Sequence, residues 1–597
     1  MAFRFALALG VLTTQFWGTV SLECKCSPGE PCWPSPSEWD SLNMTVSGRL
    51  IRTVLPASVC YTDEPNYDLE ACDRVIASWT TNSFHSDDPA SIHNPAKANN
   101  SCNPIYSNGT STAGDPLAED RGCDIGPYPR FVVNATEVAH VQAAMKFVDK
   151  HNLRLIIKNT GHSGKPIGAG GLSIWTHHMK QMQLIEDFQP RSANGTTSCS
   201  ESSAPQKILR VGAGVQDNEV FQAAAQYDLA VVGGTNSDVG LVGWATGGGH
   251  GYLTSEFGQG ADNIVEATVV TPRGEVLTAN ACQNSDLLWA IRGGGGGTFG
   301  LITELGVQAH PMPQVTAMVL SVSKTGNSTS SWWALMAGLH AHLPDLKTHG
   351  VTSYYTIAGP PSYEALTFYG VFFVYNKPNG TIETAMQPLL SFLDGANGTA
   401  TFQTQTQSAP KWISLFDKLP SDGSAAGGGG SSASRLLPAS SLTDDMARLA
   451  EVLELIGPTE HVPQTGVSNP SIAGSMSASS KKVDDSLNPA WRDAVVHLLV
   501  KDSWSDALPY PQALAAQSDM TNLKGAALRS LAPNSGTYFN EADASEPDWQ
   551  RSFWGDNYEK LRQIKEKYDP HAMQWCEKCV GSESWAEQLD GSLCRVL

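Results

Sequence analysis

Three glycine-rich loops and one histidine are the residues of this sequence best suited to hold a charged or flat ligand. The loops span 161–171, 233–251 and 293–300. Glycine lets backbone amides approach a phosphate or a ring closely, so such loops can form anion-binding nests. His162 lies in the first loop, and a neutral imidazole is a nucleophile as well as a hydrogen-bonding group. Because each loop adjoins a well-marked strand pattern, we expect these loops to serve a ligand rather than to act only as linkers.

Two common nucleotide-binding motifs are absent from the loops. A Rossmann site needs Gly-x-Gly-x-x-Gly between a strand and a helix. Gly212-Ala-Gly214 lacks the third glycine, and Gly247-Gly-Gly-His-Gly251 leads towards a hairpin. No P-loop motif, which ends in Gly-Lys-Ser/Thr, occurs either. Any nucleotide must therefore be held by another scaffold.

The elements that position these loops alternate between helical and strand patterns. A helix is predicted after Thr136, with apolar residues at helical spacing from Val138 to Val148. The other predicted elements of this α+β lobe are strands at 153–157, 208–211, 230–232 and 299–307, helices at 218–227 and 286–292, and a hairpin over 264–278.

A second lobe is predicted after Pro313. Its pattern indicates an antiparallel sheet covered by helices on one face. A Gly/Ser segment at 421–434 is predicted to be a flexible surface loop. The predicted strands are 315–322, 351–357, 366–375 and 494–500, and the predicted helices are 332–342, 382–393, 444–456 and, in the tail, 557–567.

Charge and targeting signals bear on where the protein acts. The 597 residues carry a net charge of -20, which argues against nucleic-acid binding because that requires a basic face. Residues 1–21 have the short apolar stretch and small residues of a secretory signal, and no other stretch is long enough to span a bilayer. We therefore expect a secreted protein without membrane attachment. Eight sites for N-linked glycans agree with this, at Asn43, Asn99, Asn108, Asn134, Asn194, Asn327, Asn379 and Asn397.

Cysteine usage points to the same oxidising compartment. Of twelve cysteines, seven lie between Cys24 and Cys123, which suggests an N-terminal segment stapled by disulfides whose pairing stays open. Cys576-Glu-Lys-Cys579 has the spacing of a redox motif or half a zinc site. Without a second such pair or suitable histidines nearby, a disulfide is the favoured interpretation, and no metal site is predicted.

The glycine motifs, taken in order, carry a resemblance to a known family. The segments 158–163, 240–251, 260–263 and 288–300 together resemble the PCMH-type FAD-binding domain of the vanillyl-alcohol-oxidase superfamily. Each piece alone is unspecific, but the ordered set is highly specific.

The C-terminal motifs narrow this resemblance. Tyr538-Phe-Asn540, followed by Trp554-Gly and Tyr568-Asp-Pro570, resembles the berberine-bridge-enzyme-like branch. The ending at 575–583 is similar to secreted fungal isoamyl-alcohol-oxidase-like members.

The resemblance implies a fold class and a division of the chain. The expected fold is α+β, a two-lobed PCMH-type FAD-binding fold with an inserted antiparallel-sheet substrate lobe covered by helices. The expected parts are a signal peptide (1–21), a disulfide-rich N-terminal segment (22–124), the FAD-binding domain (125–312), the substrate-binding lobe (313–530) and a C-terminal segment that returns to the FAD lobe (531–597).

The resemblance also implies how FAD is held. His162 is expected to be joined covalently to the 8α methyl of the flavin; the alternative is that it only hydrogen-bonds phosphate. Asn236 stands where many relatives have a cysteine, so no second link is expected. Val239 matches a position where a small residue leaves room for oxygen, which favours an oxidase. The other expected cofactor contacts are Asn159, Thr160, Gly161, Ser163, Gly234, Thr235, Gly240, Gly243, Thr246, Gly247, Gly248, His250, Gly251, Asp262, Ile302 and Asn540.

The expected chemistry is oxidation of a small-molecule alcohol, sugar or phenolic substrate. Hydride would pass to the flavin, and oxygen would be reduced to hydrogen peroxide. Tyr538 is predicted to act as the base or to polarise the substrate oxygen; as a base it would need its pKa of about 10 lowered by a neighbour. Core packing is the alternative role for this tyrosine. A cyclising or dehydrogenating oxidoreductase of secondary metabolism and a flavin-carrying glycoprotein without a catalytic role both stay open.

Overall fold

A computed structural model describes residues 23–163, 170–195, 205–396, 398–416, 418–419, 428–588 and 591–596. The expected signal peptide, Asn397 and residues 421–427 of the Gly/Ser segment lie outside these ranges. None of the helices in the described ranges is long and apolar enough to cross a bilayer.

One sheet of the first lobe carries the first glycine loop. Its strands, in spatial order, are Leu50–Arg52, Phe131–Asn134, Leu172–Trp175 and Leu155–Lys158. The last three are mutually parallel, and helix Val138–His151 makes the connection into Leu155–Lys158. The predicted helix and strand are thus confirmed, with the helix burying Val141 and Met145 against the sheet. His162 follows the carboxyl end of this strand.

The other sheet of the first lobe holds the second and third glycine loops. Its central strand, Leu301–Pro311, follows the third loop directly. Strand Leu229–Val231, which pairs with it, leads into the second loop. The remaining strands, all antiparallel, are Met182–Phe188, Gln206–Gly212, Ile264–Val270 and Val276–Asn280, with helices Asp217–Ala225, Leu241–Thr246, Thr254–Phe257 and Ser285–Ile291 around them.

The second lobe is an antiparallel sheet, as predicted. One face packs under helices, while residues such as Val315, Phe373 and Tyr375 on the other face join the core of the first lobe. The strands in spatial order are Ala400–Ala409, Val315–Lys324, Thr367–Tyr375, Thr352–Ala358, Ser471–Ser475, Ala494–Trp504 and Gly429–Pro438. The helices include Thr329–Ala341, Leu343–Thr348, Thr381–Asp394, Met446–Ile456, Tyr510–Asp519 and Gly525–Leu531.

The prediction of a surface loop at 421–434 was wrong where the structure describes that segment. Residues Gly429–Pro438 form a strand that pairs with Ala494–Trp504. Glycine is required at 429 because a Cβ there would collide with the Trp504 ring. Small residues therefore serve close packing here, which composition alone does not distinguish from flexibility.

The two ends of the chain are joined by a disulfide. Cys24 pairs with Cys594, 570 residues away. The other disulfides between described residues are Cys26–Cys32, Cys60–Cys72, Cys102–Cys123 and Cys576–Cys579, so the predicted disulfide at the last pair is confirmed. The N-terminal segment carries helices Pro36–Thr45, Leu69–Ser78 and Asn82–Asp87, and the tail carries Trp549–Trp554, Tyr558–Tyr568 and the hairpin of Trp585–Glu587 with Leu593–Arg595.

Candidate active site

All three glycine loops converge on one cavity of about 440 Å³. This volume falls within the roughly 300–1,000 Å³ of small-molecule and cofactor sites. The N-terminal segment contributes Pro89, Ala90 and Ile92 to the wall, and the tail contributes residues 538–541. Predicted site residues that line the cavity are Asn159, Thr160, Gly161, His162, Ser163, Gly234, Thr235, Asn236, Val239, Gly240, Gly243, His250, Ile302, Tyr538 and Asn540.

Four predicted contacts lie behind the wall and shape it. Thr246 Oγ1 donates to Val242 O at 2.7 Å within its helix. A Cβ at Gly247 would lie 2.5 Å from Asn540 Nδ2, and one at Gly251 would overlap the backbone at 233. Gly248 adopts a φ of +119°, which residues with a side chain rarely adopt. These residues allow close backbone packing and do not line the cavity.

Asp262, predicted as a cofactor contact, does not reach the cavity. Its carboxylate accepts two hydrogen bonds from Arg492, at 2.7 and 2.9 Å. Arg492 also binds Asp485 at 2.6 Å. The prediction took an acid in the family motif for a ligand contact, whereas in the structure Asp262 belongs to a buried ion-pair cluster with Arg492 and Asp485.

The cavity walls fit a dinucleotide that carries a flat ring. At Gly243 a Cβ would meet nothing within 4 Å, and at Gly297 only Ile157 Cδ1 at 3.7 Å, so side chains there would occupy the cavity. Apolar residues such as Ile302 face the same space as the polar loop at 159–163. Such a combination offers surfaces for rings and backbone amides for phosphates.

His162 is held by a carboxylate that sequence reasoning missed. Its Nε2 lies 3.0 Å from Asp238 Oδ2. Gln216 Nε2 donates to the other oxygen of Asp238 at 2.7 Å. The ring of His93 stacks on His162, with centroids 3.8 Å apart and planes 26° from parallel. Asp238 lies in the second glycine loop, and no local pattern links it to a histidine 76 positions earlier.

Tyr538 lines the cavity, but its hydroxyl is protonated and so cannot act as a base. Burial, followed by the charge of Glu541, raises the pKa of Tyr538 far above its ordinary value. Its hydroxyl accepts hydrogen bonds from Asn540 Nδ2, at 2.7 Å, and from the backbone N–H of Gly249. The lowered pKa that a base would need is therefore not found. A protonated Tyr538 can instead donate its own hydrogen to an oxygen atom in the cavity.

Glu541, immediately after the Tyr538-Phe-Asn540 motif, is the carboxylate that faces the cavity. His250 Nε2 lies 3.2 Å from both of its oxygens, and His250 Nδ1 lies 2.9 Å from Tyr354 Oη. Burial alone would raise the pKa of Glu541, but His250 and His497 lower it to about 2. The Glu541 side chain keeps 39% of its accessible area because it borders the cavity.

The chain is related over nearly its whole length to flavin enzymes. A family described as FAD binding domain matches residues 129–280, and one described as berberine and berberine like matches 537–580. The FAD-linked oxidoreductase ZEB1 of Gibberella zeae is 33% identical over 581 residues, covering 96% of this chain and 95% of that protein. The VAO-type flavoprotein oxidase VAO615 of Thermothelomyces thermophilus is 34% identical over 584 residues, covering 96% of both chains. This chain belongs to the VAO-type flavoproteins.

The three-dimensional comparison agrees with this assignment. The crystal structure of the VAO-type flavoprotein MtVAO713 from Myceliophthora thermophila C1 superposes with a TM-score of 0.87 at 30% identity, covering 96% of this chain and 100% of that chain. The predicted superfamily, its berberine-like branch and the two-lobed fold class are confirmed. The protein is thus a VAO-type flavoprotein and an FAD-linked oxidoreductase.

In this VAO-type flavoprotein, the two residues expected to decide whether a second covalent link forms and whether oxygen has room lie on the cavity wall. Asn236 and Val239 both line it, on the same loop as Asp238. Glu541 and Asp238 were missed because their partners come from distant segments. A signal for Glu541 was present, since it directly follows the Tyr538-Phe-Asn540 motif.

Proposed function

We propose that this VAO-type flavoprotein is a secreted FAD-dependent oxidase that converts an alcohol or sugar-like hydroxyl to a carbonyl. Its flavin would be linked through His162, and oxygen would be reduced to hydrogen peroxide. The observation that carries the proposal is the joint presence of the Glu541 carboxylate and the protonated Tyr538 hydroxyl at the cavity that His162 lines. Oxidation of a hydroxyl needs both a proton acceptor and a donor that holds the substrate oxygen.

The chain's own residues divide the work around the hydroxyl group. Bound FAD would supply the acceptor for hydride from the substrate carbon. Tyr538 donates its hydrogen to the substrate oxygen, and Glu541 accepts the hydroxyl proton. The ring of His250, whose Nε2 lies 3.2 Å from both oxygens of Glu541, holds this carboxylate in place.

The cofactor would be held mainly by the backbone. The loop 159–163 and the residues 234–236 line the cavity, and their backbone amides would bind phosphate oxygens. Gly243 and Gly297 leave room for a flat ring. Val239 lines the cavity, where its small side chain would leave room for oxygen, as expected of an oxidase.

Secretion is part of the proposal and has its own support. The disulfides require an oxidising compartment, and cysteines in such proteins pair in the secretory pathway. Several of the glycan acceptor sites are exposed, as N-glycosylation requires. These are Asn99, Asn108, Asn194, Asn327 and Asn379. The test is a mobility shift of the secreted protein on treatment with a glycosidase.

The oxidase assignment is tested with the purified yellow protein. Its flavin is reduced without oxygen by light and a sacrificial electron donor such as EDTA, then mixed with oxygenated buffer, and both reoxidation and peroxide are followed. An oxidase should reoxidise within seconds and release one peroxide per flavin. A panel of alcohols, aldoses and phenols then identifies the substrate class by peroxide formation. Slow reoxidation would contradict the oxidase assignment, and a product with a new ring would favour the cyclising alternative.

A further inference from the structure

The cavity histidine is fixed by groups from separate parts of the chain. Asp238 Oδ2 accepts from His162 Nε2 at 3.0 Å and from Ser86 Oγ. Asp238 Oδ1 accepts from Gln216 Nε2 at 2.7 Å. Ser86 belongs to the N-terminal segment, between the disulfides Cys60–Cys72 and Cys102–Cys123. Donors on both oxygens therefore hold the carboxylate in one orientation towards His162.

The face of the His162 ring is covered by a second, uncharged imidazole. His93 stacks on it at 3.8 Å between centroids. Burial, with the neighbouring His162 and His85, lowers the pKa of His93 to about 2. His93 is therefore neutral and adds no positive charge beside His162. Its Nδ1 is tied to Asn82 Oδ1 at 3.2 Å, so the stacked ring is itself restrained.

This arrangement makes the two nitrogens of His162 unequal. A carboxylate at Nε2 keeps the proton on that nitrogen and leaves the lone pair on Nδ1. Nδ1 makes no hydrogen bond within the part of the chain that the structure describes, and His162 lines the cavity. Alkylation at Nδ1 would place a positive charge on the ring, which Asp238 would stabilise at 3.0 Å. The same logic underlies the aspartate that orients and stabilises a catalytic histidine.

We propose that Asp238, assisted by the stacked His93, is a positioning residue that directs covalent attachment of FAD to Nδ1 of His162. The inference rests on the proposed histidyl link. The bond that forms joins Nδ1 to the 8α carbon of FAD. One C–H bond of that methyl and the Nε2–H bond of His162 break, and their two protons and two electrons reduce one dioxygen to hydrogen peroxide.

The first test uses the native protein. The holoenzyme is digested, and the histidyl-flavin fragment is compared with the N1- and N3-linked isomers of 8α-histidylriboflavin, where N1 corresponds to Nδ1. The isomers differ in the pH at which the imidazole quenches flavin fluorescence. The proposal requires the N1 isomer. The N3 isomer would overturn it without any mutation.

The second test compares three variants with the native protein. Asp238→Asn keeps the size of the side chain and removes its charge, and Asp238→Glu restores the charge. Asp87→Asn is the matched control, because Asp87 contacts His177 and not His162. Total bound flavin is measured before acid precipitation, and covalent flavin is measured in the pellet. Melting temperature reports the fold of each variant.

The expected result separates binding from attachment. Asp238→Asn should bind FAD but show a covalent fraction at least about tenfold lower, since removal of an orienting group usually costs that much. Asp238→Glu should recover part of the loss, and Asp87→Asn should match the native protein. An unchanged covalent fraction and attachment rate in Asp238→Asn would overturn the positioning role alone. Flavin released by acid from the native protein would instead contradict the covalent link itself. Should Asp238→Asn fail to fold, the isomer in the native protein decides.

Discussion

His250 Nε2 lies 3.2 Å from both carboxylate oxygens of Glu541, at the edge of a cavity that Tyr538 also lines. The pair combines a side chain from the second glycine loop with one from the tail. Tyr354, from the second lobe, meets the other nitrogen of His250. The first lobe, the second lobe and the tail thus meet at the group that we assign to proton transfer.

Replacing Glu541 with glutamine should slow reduction of the flavin while leaving the cofactor bound. Loss of a general base typically costs about 10²- to 10⁴-fold in rate. The measurement is anaerobic stopped-flow of flavin absorbance with the substrate that the peroxide panel identifies. Glu559→Gln, at an exposed position of helix Tyr558–Tyr568, is the control and should behave as the native protein. A rate of flavin reduction in Glu541→Gln within about twofold of the native rate would show that another group acts as the base.

Two glycines of the second loop should fail in different ways. Gly243→Ala should lower the flavin content, and Gly243→Leu should lower it further, because their side chains would extend into open cavity space. Both variants should give a nearly native yield of folded protein. Gly251→Ala should lower the yield of folded protein, because its Cβ would overlap the carbonyl oxygen of Gly233. Flavin absorbance per protein and melting temperature distinguish the two effects. Full flavin content in Gly243→Leu would contradict the placement of the cofactor.

The ion pair that replaced the predicted Asp262 contact should contribute to stability. Arg492→Met would leave two carboxylates, Asp262 and Asp485, buried without a cation. Breaking a buried pair in this way costs about 3–5 kcal/mol of unfolding free energy. Arg562→Met, in an exposed pair with Glu566, should have far less effect. Chemical denaturation of both variants tests this, and equal losses would show that burial of Asp262 does not matter.

Buried neutral histidines should make the protein sensitive to acid. Burial lowers the pKa of His340 to about 4, below the value of about 6.5 expected in the unfolded chain. Between these values the unfolded chain binds a proton that the folded protein does not, so stability falls as pH decreases from 6.5 to 4. In His340→Gln this contribution disappears, and the slope of stability against pH should be smaller by up to about 1.4 kcal/mol per unit. Identical slopes in thermal melts across this range would count against a neutral His340.

The sequence was sufficient for features whose information is local. The glycine loops and His162 form a recognisable ordered set, and the helix at Val138–His151 follows from its apolar spacing. Polar or small-residue strands were not predicted. Ala400–Ala409 carries alternating Thr and Gln at the sheet edge, and Gly429–Pro438 has the composition of a linker. Their strand character arises from pairing with neighbours that are distant in sequence.

The residues of the candidate site likewise divide into those that local motifs predict and those that depend on contacts between distant segments. Tyr538 was placed at the cavity by its motif, but its protonation state depends on burial and on Glu541, which only the folded chain reveals. Asp238 could not be paired with His162 from spacing, because two loops from different sheets bring them together. Asp262 was assigned wrongly because a motif records which residue is present and not which way its side chain faces.

Whether His162 carries FAD in this cavity is tested most directly by peptide mass spectrometry. The purified native protein is precipitated with acid and digested, and the peptide that contains His162 is weighed and fragmented. We expect this peptide to carry the mass of one flavin nucleotide, localised to His162, and the peptide containing Asn236 to be unmodified. An unmodified His162 peptide from yellow protein, or a flavin attached elsewhere, would contradict it.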